Sequence, residues 1–203
     1  MWPHAVAVAD CTYGYIQKSS NVELQKLTWS EYKHCHLLKL FLLVAPDGYF
    51  MHIGGPYAPD NKVLDSDIFL QTITADEFKN WFIPKDTLLV DRGFNSIYQN
   101  PSQLDIVCPL FLNGNKQFSE TESNYNRAIT AFRWVVETAN RRLREWKAVG
   151  EIIPNIRIKI MTTMFKVCAA LENIFSPYKK ANILLKHEQN LDKTITDLLS
   201  KHK

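Results

Sequence analysis

The stretch TLLVDRGF, residues 87–94, decides the fold that the sequence predicts. Its first four residues are apolar or β-branched, which predicts a short buried strand. The strand ends on Asp91 beside Arg92, and Gly93 favours a sharp turn at this point. An isolated carboxylate at the edge of a core is costly unless it is paired, hydrated or bound to a metal ion. The stretch therefore raises the question of which of these applies to Asp91, and which other acids join it.

The length and composition indicate one globular domain. The chain has 203 residues, of which 46% are apolar and 12% aromatic, enough for a domain with a real core. No apolar run approaches the roughly 20 residues that a membrane span needs, and the N-terminus lacks the basic segment of a signal peptide. The N-terminus leads almost at once into a predicted core strand, so we expect that the chain starts in mid-fold and that a further domain precedes it.

The cysteines indicate neither a disulfide framework nor a zinc ribbon. They are widely spaced and form no C-x-x-C pair, so we expect small buried side chains in a reducing compartment; they are Cys11, Cys35, Cys108 and Cys168. The stretch KHCH, residues 33–36, does contain metal-ligating residue types. Side chains that alternate between the two faces of a strand explain it better than a metal site does.

Basic residues cluster in the second half of the chain, although the formal net charge is only +3. Between residues 127 and 147 there are two acids, Glu137 and Glu145, against six basic residues: Arg127, Arg133, Arg141, Arg142, Arg144 and Lys147. Such a stripe is compatible with nucleic-acid binding but does not establish it.

Strand and helix patterns follow one another in an informative order. The predicted strands span residues 4–10, 36–45, 49–55, 87–90 and 104–110, with a turn at PDG, residues 46–48. The predicted helices span residues 64–73, 75–82, a short segment from about residue 94, a long segment from a Ser119–Glu122 capping box to Lys147, and residues 156–175. Antiparallel strands followed by alternating units predict a mixed sheet with helices on its faces.

The connecting and terminal segments carry weaker patterns. Residues 12–25 are polar and irregular and predict a loop. Asp65 or Ser66 is the expected N-cap of the helix at 64–73. Residues 178–203 have the amphipathic pattern of a helix that is loosely attached or bound to a partner.

Asp10 and Asp91 end the first and the fourth predicted strands. Carboxylates at the ends of neighbouring strands lie at one edge of a sheet, where open α/β sheets place their chemistry. If these two strands are neighbours, the carboxylates come close enough to share a metal ion, and Mg²⁺ prefers such oxygen ligands. The alternative for each acid is a strand-end residue that is hydrogen-bonded to the following turn.

Glu137 and Asp67 are further candidate acids. Glu137 lies in the middle of the long predicted helix, on one face with Arg141 and Arg144. It is either a metal ligand whose helix also contacts phosphate or the partner of Arg141 in an i,i+4 salt bridge. Asp67 is either a fourth ligand or a first-turn acid that the helix macrodipole favours.

The motifs together resemble one known family. They are D-x-T at 10–12, the segment 27–57, SD at 66–67, DRGF at 91–94, CPLF at 108–111 and RWVVETANRRLREWK at 133–147. In this order they look like the DDE superfamily endonuclease domain of Harbinger-type transposases and their domesticated relatives, over residues 5 to about 175. Two features depart from the family: Thr138 stands where many members carry an arginine, and the helix-turn-helix region of full-length relatives has no counterpart.

The resemblance implies a fold, an activity and a set of residues. The fold is RNase H-like, a mixed five-stranded sheet flanked by helices, with extra C-terminal helices in this chain. The activity is metal-dependent DNA cleavage and strand transfer, with Mg²⁺ or Mn²⁺ held by Asp10, Asp91 and Glu137 and, in addition, by Asp67. The nuclease domain is expected at residues 1–175 and a polar, lysine-rich helical tail at residues 176–203.

The resemblance also implies partners. DNA is the expected substrate in a nuclear protein that binds no membrane, and its backbone is expected to contact Arg141, Arg142, Arg144 and Lys147. Lys33 and Lys39 are possible further contacts, unless Lys39 simply points outward on its strand. A homodimer or a separate DNA-binding protein is expected to supply target recognition.

Two other functions remain open at this point. Domesticated relatives keep the fold but act as catalytically inactive adaptors that bind DNA or protein. The fold also does not choose its substrate, so a nuclease that acts on RNA or on a hybrid duplex is a third possibility.

Overall fold

A computed structural model describes residues 5–59, 62–78, 80–94, 104–112, 114 and 116–175. The strands are β1 (Ala5–Tyr15), β2 (Trp29–Ser30), β3 (Cys35–Val44), β4 (Phe50–Tyr57), β5 (Thr87–Leu89) and β6 (Asp105–Val107). The α-helices are α1 (Val22–Thr28), α2 (Asp65–Thr74), α3 (Glu120–Glu145), α4 (Lys147–Gly150) and α5 (Met161–Phe175). Short 3₁₀ helices cover Asp76–Phe78, Arg92–Phe94 and Asn155–Ile160.

The strands form one mixed sheet. β3 pairs antiparallel with β1 and with β4, whereas β5 pairs parallel with β1 and with β6. The strand order is therefore β4-β3-β1-β5-β6, and β2 adds a sixth strand on the first two residues of β3. The predicted RNase H-like mixed sheet is confirmed. The predicted count of five strands left out β2, because two residues are too few to give a periodic signal.

The sheet is buried on both faces. Val8 and Leu40 join side chains of α3 and α5 on one face, and Ala9 and Phe41 join side chains of α2 on the other. Successive strand residues point to opposite faces, so β3 needs an apolar side chain at nearly every position. The exception is Lys39, which is only 5% exposed and whose ammonium group therefore requires a partner inside the protein.

The long helix α3 begins where its sequence predicts. The Oγ atom of Ser119 accepts a hydrogen bond from the Glu122 N–H at 3.3 Å, and Glu122 Oε2 accepts one from the Ser119 N–H at 2.8 Å. This capping box satisfies donors that the start of a helix leaves unpaired. From there α3 packs across β1, β3 and β5, so its side chains run along the sheet.

Several predicted boundaries are wrong. Residues 12–15 extend β1 instead of forming a loop, because the long strand β3 pairs with them as far as Leu37. Residues 22–25 of the predicted loop form the first part of α1. The N-cap of α2 is Leu64, without a side-chain hydrogen bond, instead of Asp65 or Ser66.

Two predicted helices are shorter than expected. The segment 75–82 contains only the 3₁₀ turn Asp76–Phe78, and residues 155–160 are a 3₁₀ helix that leads into α5. The predicted helix beyond residue 94 and the predicted tail at 176–203 lie outside the described residues.

The cysteines are all unpaired. Cys168 is buried, and the other three are half-buried rather than buried as predicted. Among the helices in the described ranges, none is both long and apolar enough to cross a membrane.

Phe69→Ala is expected to lower the free energy of unfolding by about 3–5 kcal/mol, because it removes a buried ring and leaves a cavity. Phe69 is 0% exposed, and its ring centroid lies 6.2 Å from that of Phe41 and 5.8 Å from that of Phe94. Urea unfolding followed by circular dichroism measures the change.

The matched control is Phe175→Ala, at a ring that is 73% exposed. It should change the unfolding free energy by less than about 0.5 kcal/mol. Equal losses in the two variants would contradict the described packing.

Candidate active site

Asp10 and Asp91 lie on adjacent parallel strands. The last registered pair of β1 and β5 is Val8 with Leu89, and each aspartate follows two residues further along its chain. Adjacent strands are about 4.8 Å apart, so the two residues stand side by side at the end of β5. The prediction that their strands are neighbours is confirmed.

Burial raises the pKa of Asp10 to about 6 from its ordinary 3.8. The negative charges of Asp91 and Asp65 contribute to this rise in pKa, and the backbone N–H of Cys11 and the charge of Arg133 act against it. Three carboxylates therefore act on one another at this edge of the sheet.

Asp91 has a positively charged partner on α3. Its Oδ1 atom lies 3.1 Å from Nη1 of Arg133 and accepts a hydrogen bond from the backbone N–H of Arg92 at 2.6 Å. The chain then turns, and Phe94 returns to the core against Phe69. A carboxylate at the edge of a core needs pairing, hydration or a metal ion, and in this structure Asp91 is paired with Arg133.

The acid of α2 that reaches this region is Asp65. Its Oδ1 atom accepts a hydrogen bond from Nζ of Lys39 at 2.8 Å, and its carboxylate accepts one from the thiol of Cys11. The pKa of Cys11 is raised, first by burial and then by the charge of Asp65. Lys39 is therefore neither outward-pointing nor available to DNA in this arrangement, which corrects both sequence expectations for it.

Asp67 lies on the exposed side of the same first turn. Residues two apart on a helix point in nearly opposite directions, so α2 can present only one of the two acids to the sheet. The structure brings Asp65, and not Asp67, to Asp10. The signal that predicts Asp65 is Lys39: a lysine inside an apolar strand needs a carboxylate from the element that covers it.

Glu137 is exposed and lies on a narrow strip of α3 that faces β1. Residues 133, 137, 140 and 144 fall within about 60° of one another around a helix with 100° per residue. Asn140 accepts a hydrogen bond from Oγ1 of Thr12 at 2.6 Å, and Nη2 of Arg144 donates one to the carbonyl of Tyr13 at 2.6 Å. Arg133, one helical turn before Glu137, contacts Asp91. Glu137 is therefore flanked on both sides along the helix by residues that contact the acidic edge of the sheet.

The alternative role of Glu137, a salt bridge to Arg141, is absent from the described contacts. Arg141 instead pairs with Glu145 at 3.7 Å, and the Arg141 side chain is 71% exposed. Glu137 therefore lies between two residues of α3 that contact the sheet edge, Arg133 and Asn140, whereas Arg141 forms its ion pair with Glu145.

Comparison with protein-family models matches residues 9–173 to the DDE superfamily endonucleases. The chain belongs to this family. The match begins in β1 and ends in the last turn of α5, and so covers every candidate acid. Searches of the curated proteins and of the solved structures found no match.

The candidate acids fit a divalent cation in their chemistry. Carboxylate oxygens are the ligands that Mg²⁺ and Mn²⁺ prefer. The pKa of Asp10 is raised first by burial and then by the negative charges of Asp91 and Asp65, which a cation would balance. As the side chains stand, no group of three or more His, Cys, Asp and Glu residues within the described ranges could hold a metal ion. The compensating charges in the described structure are those of Arg133 and Lys39.

The KHCH segment has a structural role. Nδ1 of His36 lies 3.2 Å from Oγ1 of Thr28, and its ring packs edge-on against Trp29 at 5.2 Å. These contacts join α1 and β2 to β3.

The predicted DNA-contacting residues are in different environments. Arg141 and Lys147 are exposed, and Arg142 is half-buried. Arg144 is tied to the carbonyl of Tyr13, and its guanidinium lies 5.1 Å from the ring centroid of Tyr15. Arg144 therefore has a packing role whether or not it meets DNA.

Asp10→Asn is expected to stabilise the protein above pH 6 by about 3 kcal/mol, at about 1.4 kcal/mol per pH unit of pKa difference. The folded pKa of about 6 lies above the ordinary 3.8, so the folded state binds more protons between these values. The wild type therefore loses stability as the pH rises through this window, and the variant lacks this loss. Urea unfolding of both proteins between about pH 4 and pH 8 measures the difference.

The control is Asp47→Asn, in the β3–β4 turn, where the side chain accepts a hydrogen bond from the Tyr49 N–H that an asparagine can also accept. Its stability should follow the wild-type pH profile. A constant offset between Asp10→Asn and wild type across the whole range would contradict the assignment of a raised pKa to Asp10.

Proposed function

We propose that this DDE superfamily endonuclease is a metal-dependent DNA nuclease and strand-transferase of the cut-and-paste transposase kind, acting in the nucleus. The observation that carries the proposal is the parallel pairing that sets Asp10 beside Asp91, with Glu137 on the strip of α3 that faces them. Family membership supports DNA as the substrate.

Asp10, Asp91 and Glu137 are the proposed ligands of Mg²⁺ or Mn²⁺. A bound cation of this kind polarises the scissile phosphate and lowers the pKa of its water, which makes a nucleophile at neutral pH. Asp65 is a better fourth candidate than Asp67, because its carboxylate faces the same edge of the sheet. Arg133 and Lys39 hold Asp91 and Asp65 in place and balance their charges in the structure described.

The basic residues beyond the acids are proposed to bind the DNA backbone. Arg141 and Lys147 are exposed, and Arg142 follows on the adjoining face of α3. Their contribution is electrostatic and independent of base sequence, so it falls as the salt concentration rises. A second copy of the chain or a separate DNA-binding protein is proposed to supply target recognition.

Asp91→Asn is expected to reduce nicking of supercoiled DNA in Mg²⁺ or Mn²⁺ to the metal-free level, because it removes a ligand charge from the pair at the strand ends. An agarose-gel nicking assay measures the rate, and circular dichroism checks that the fold is kept. The control Asp47→Asn should nick at the wild-type rate. Equal nicking by wild type and Asp91→Asn would remove Asp91 from the mechanism.

A catalytically inactive adaptor is the second candidate. The observation that favours it is that Asp91 is already paired with Arg133, in a described structure that contains no group able to hold a metal ion. An adaptor would show salt-sensitive DNA binding without metal-stimulated cleavage. Competing DNA, RNA and hybrid duplexes in the same assay separates a DNA nuclease from one that acts on RNA.

Arg141→Ala and Arg144→Ala are expected to separate DNA binding from stability. Arg141 is exposed, so its loss should weaken DNA binding without lowering the melting temperature. The slope of log K against the logarithm of the salt concentration should become less steep by the contribution of about one phosphate contact. Arg144→Ala should lower the melting temperature, because it removes the bond to Tyr13 and the stacking on Tyr15. Fluorescence anisotropy at several salt concentrations and thermal unfolding measure the two effects.

The control for both variants is Arg157→Ala, an exposed arginine outside α3. It should leave the melting temperature unchanged and the salt slope at the wild-type value. An unchanged salt slope in Arg141→Ala would contradict a DNA contact at that position.

A further inference from the structure

A cavity of about 900 Å³ opens directly beside the acidic residues. It shares Lys39, Asp65 and Gly93 with that site. Gly93 follows Asp91 by two residues, and a Cβ at this glycine would lie 3.8 Å from Oδ2 of Asp65. Anything that occupies the cavity therefore lies next to the proposed reaction centre. This volume is in the range of pockets that bind small ligands or parts of larger ones.

The lining of the cavity is positively charged. Four lysines against two acids give 4 − 2 = +2; the lysines are Lys18, Lys26, Lys39 and Lys62, and the acids are Glu31 and Asp65. Lys39 is already neutralised by Asp65. Lys18 and Lys26 make no ion pair or side-chain hydrogen bond with any other part of the chain that the structure describes, so their ammonium groups are available to an anion.

Lys62 has a different role in the same wall. Its Nζ atom donates to the carbonyls of Lys26, Leu27 and Trp29 at 2.5, 3.1 and 3.0 Å. These bonds use the three donors of the ammonium group and satisfy the last carbonyls of α1. Lys62 thus fixes the wall that carries Lys26 and Trp29.

Aromatic rings line the same cavity. Tyr13, Trp29, Tyr32 and His36 all border it. Tyr32 is 74% exposed, and Nζ of Lys33 lies 4.6 Å from its ring centroid and 5.7 Å from that of Tyr13. A cation over two rings restrains both of them.

The turn that carries Tyr32 is itself held in a strained conformation. Ser30 Oγ accepts a hydrogen bond from the Lys33 N–H at 3.1 Å, and the Ser30 carbonyl accepts one from the His34 N–H at 2.9 Å. His34 has a φ of +52°, a region that residues other than glycine seldom occupy. The surrounding contacts over-determine this turn and present the Tyr32 ring to solvent at the mouth of the cavity.

Exposed rings beside unpaired ammonium groups are the features that bind single-stranded nucleic acid. Bases stack on aromatic rings, and lysines neutralise the phosphates between them. In an intact duplex the bases are stacked on one another and their faces are not available to the rings of a concave site. An acidic peptide would use the lysines but would leave the rings without a role.

We propose that this cavity binds one or a few unpaired nucleotides of the DNA strand that flanks the scissile phosphate. The bases stack on Tyr32 and Trp29, and the phosphates lie near Lys18 and Lys26. The position of the nucleotides next to the cleaved bond rests on the proposed endonuclease function, whereas binding of single-stranded DNA by the cavity does not.

The test measures binding of a fluorescent single-stranded oligonucleotide of about 12 nucleotides by anisotropy, without metal, at low and at physiological salt. The expected result is that wild type binds it more tightly than the duplex of the same sequence. Tyr32→Ala should weaken single-strand binding by about 5- to 150-fold, the loss of one base stack. Tyr32→Phe, which keeps the ring, should bind as wild type does.

The matched control is Tyr49→Ala, an exposed tyrosine at the β3–β4 turn, which should not change the affinity. Thermal unfolding verifies that each variant is folded. Equal affinities of wild type, Tyr32→Ala and Tyr49→Ala would overturn the proposal. So would equally effective competition by a deoxynucleoside monophosphate and by unlabelled oligonucleotide, since that would show a pocket for free nucleotides.

Asp91→Asn separates this proposal from the proposed enzymatic function. Its single-strand affinity should equal that of wild type, because Asp91 does not line the cavity. If Asp91→Asn and wild type nick DNA equally while Tyr32→Ala loses single-strand binding, the active-site assignment fails and the nucleotide site stands. If nicking depends on Asp91 while single-strand binding does not depend on Tyr32, the active-site assignment stands and the nucleotide site fails.

Discussion

The parallel pairing of β1 with β5 is the constraint on which the rest of the structure depends. It sets two carboxylates, Asp10 and Asp91, side by side at one edge of the sheet. Like charges placed this close are unfavourable unless cations compensate them. Burial is the largest cause of the raised pKa of Asp10, the charge of Asp91 also raises it, and the guanidinium of Arg133 acts against both effects.

The helix α3 connects this edge to the rest of the domain. One strip of the helix carries Arg133, Asn140 and Arg144, and each of them bonds to β1 or to the residue that ends β5. The core side of the same helix holds Val136 and Leu143, which are fully buried. Core packing and polar contacts together therefore set the position of Glu137. A shift of α3 would move this acid and would also disrupt the core packing and the polar contacts of the helix.

The opposite face of the sheet places a second ion pair close to the first. Lys39 and Asp65 are joined beneath α2, and the cavity beside them is positively charged and lined by rings. A positively charged groove lined by aromatic rings therefore borders the acidic edge of the sheet. Such a groove attracts anions, whereas the carboxylates alone would repel them.

The sequence by itself determined the order of the elements and singled out the candidate acids. Its apolar runs, the PDG turn and the capping box of α3 specify the mixed sheet and the long helix, because these signals depend only on neighbours within a few residues. Asp10, Asp91 and Glu137 stand out for the same reason: each lies at a position that local pattern and ordered motifs define. Boundaries that depend on a distant strand, such as the extension of β1 to Tyr15, do not carry such a signal.

Only the tertiary structure decided which side chains meet. The choice of Asp65 over Asp67 depends on how α2 is rotated against β3, which the buried charge of Lys39 requires but the helix pattern does not show. The pairing of Asp91 with Arg133 joins residues 42 positions apart. Lys62 closes the wall of the cavity by hydrogen bonds to carbonyls more than 30 residues away. Contacts of this kind depend on the register of the sheet and on the rotation of the packed helices, because both are set by the whole core and not by any one segment.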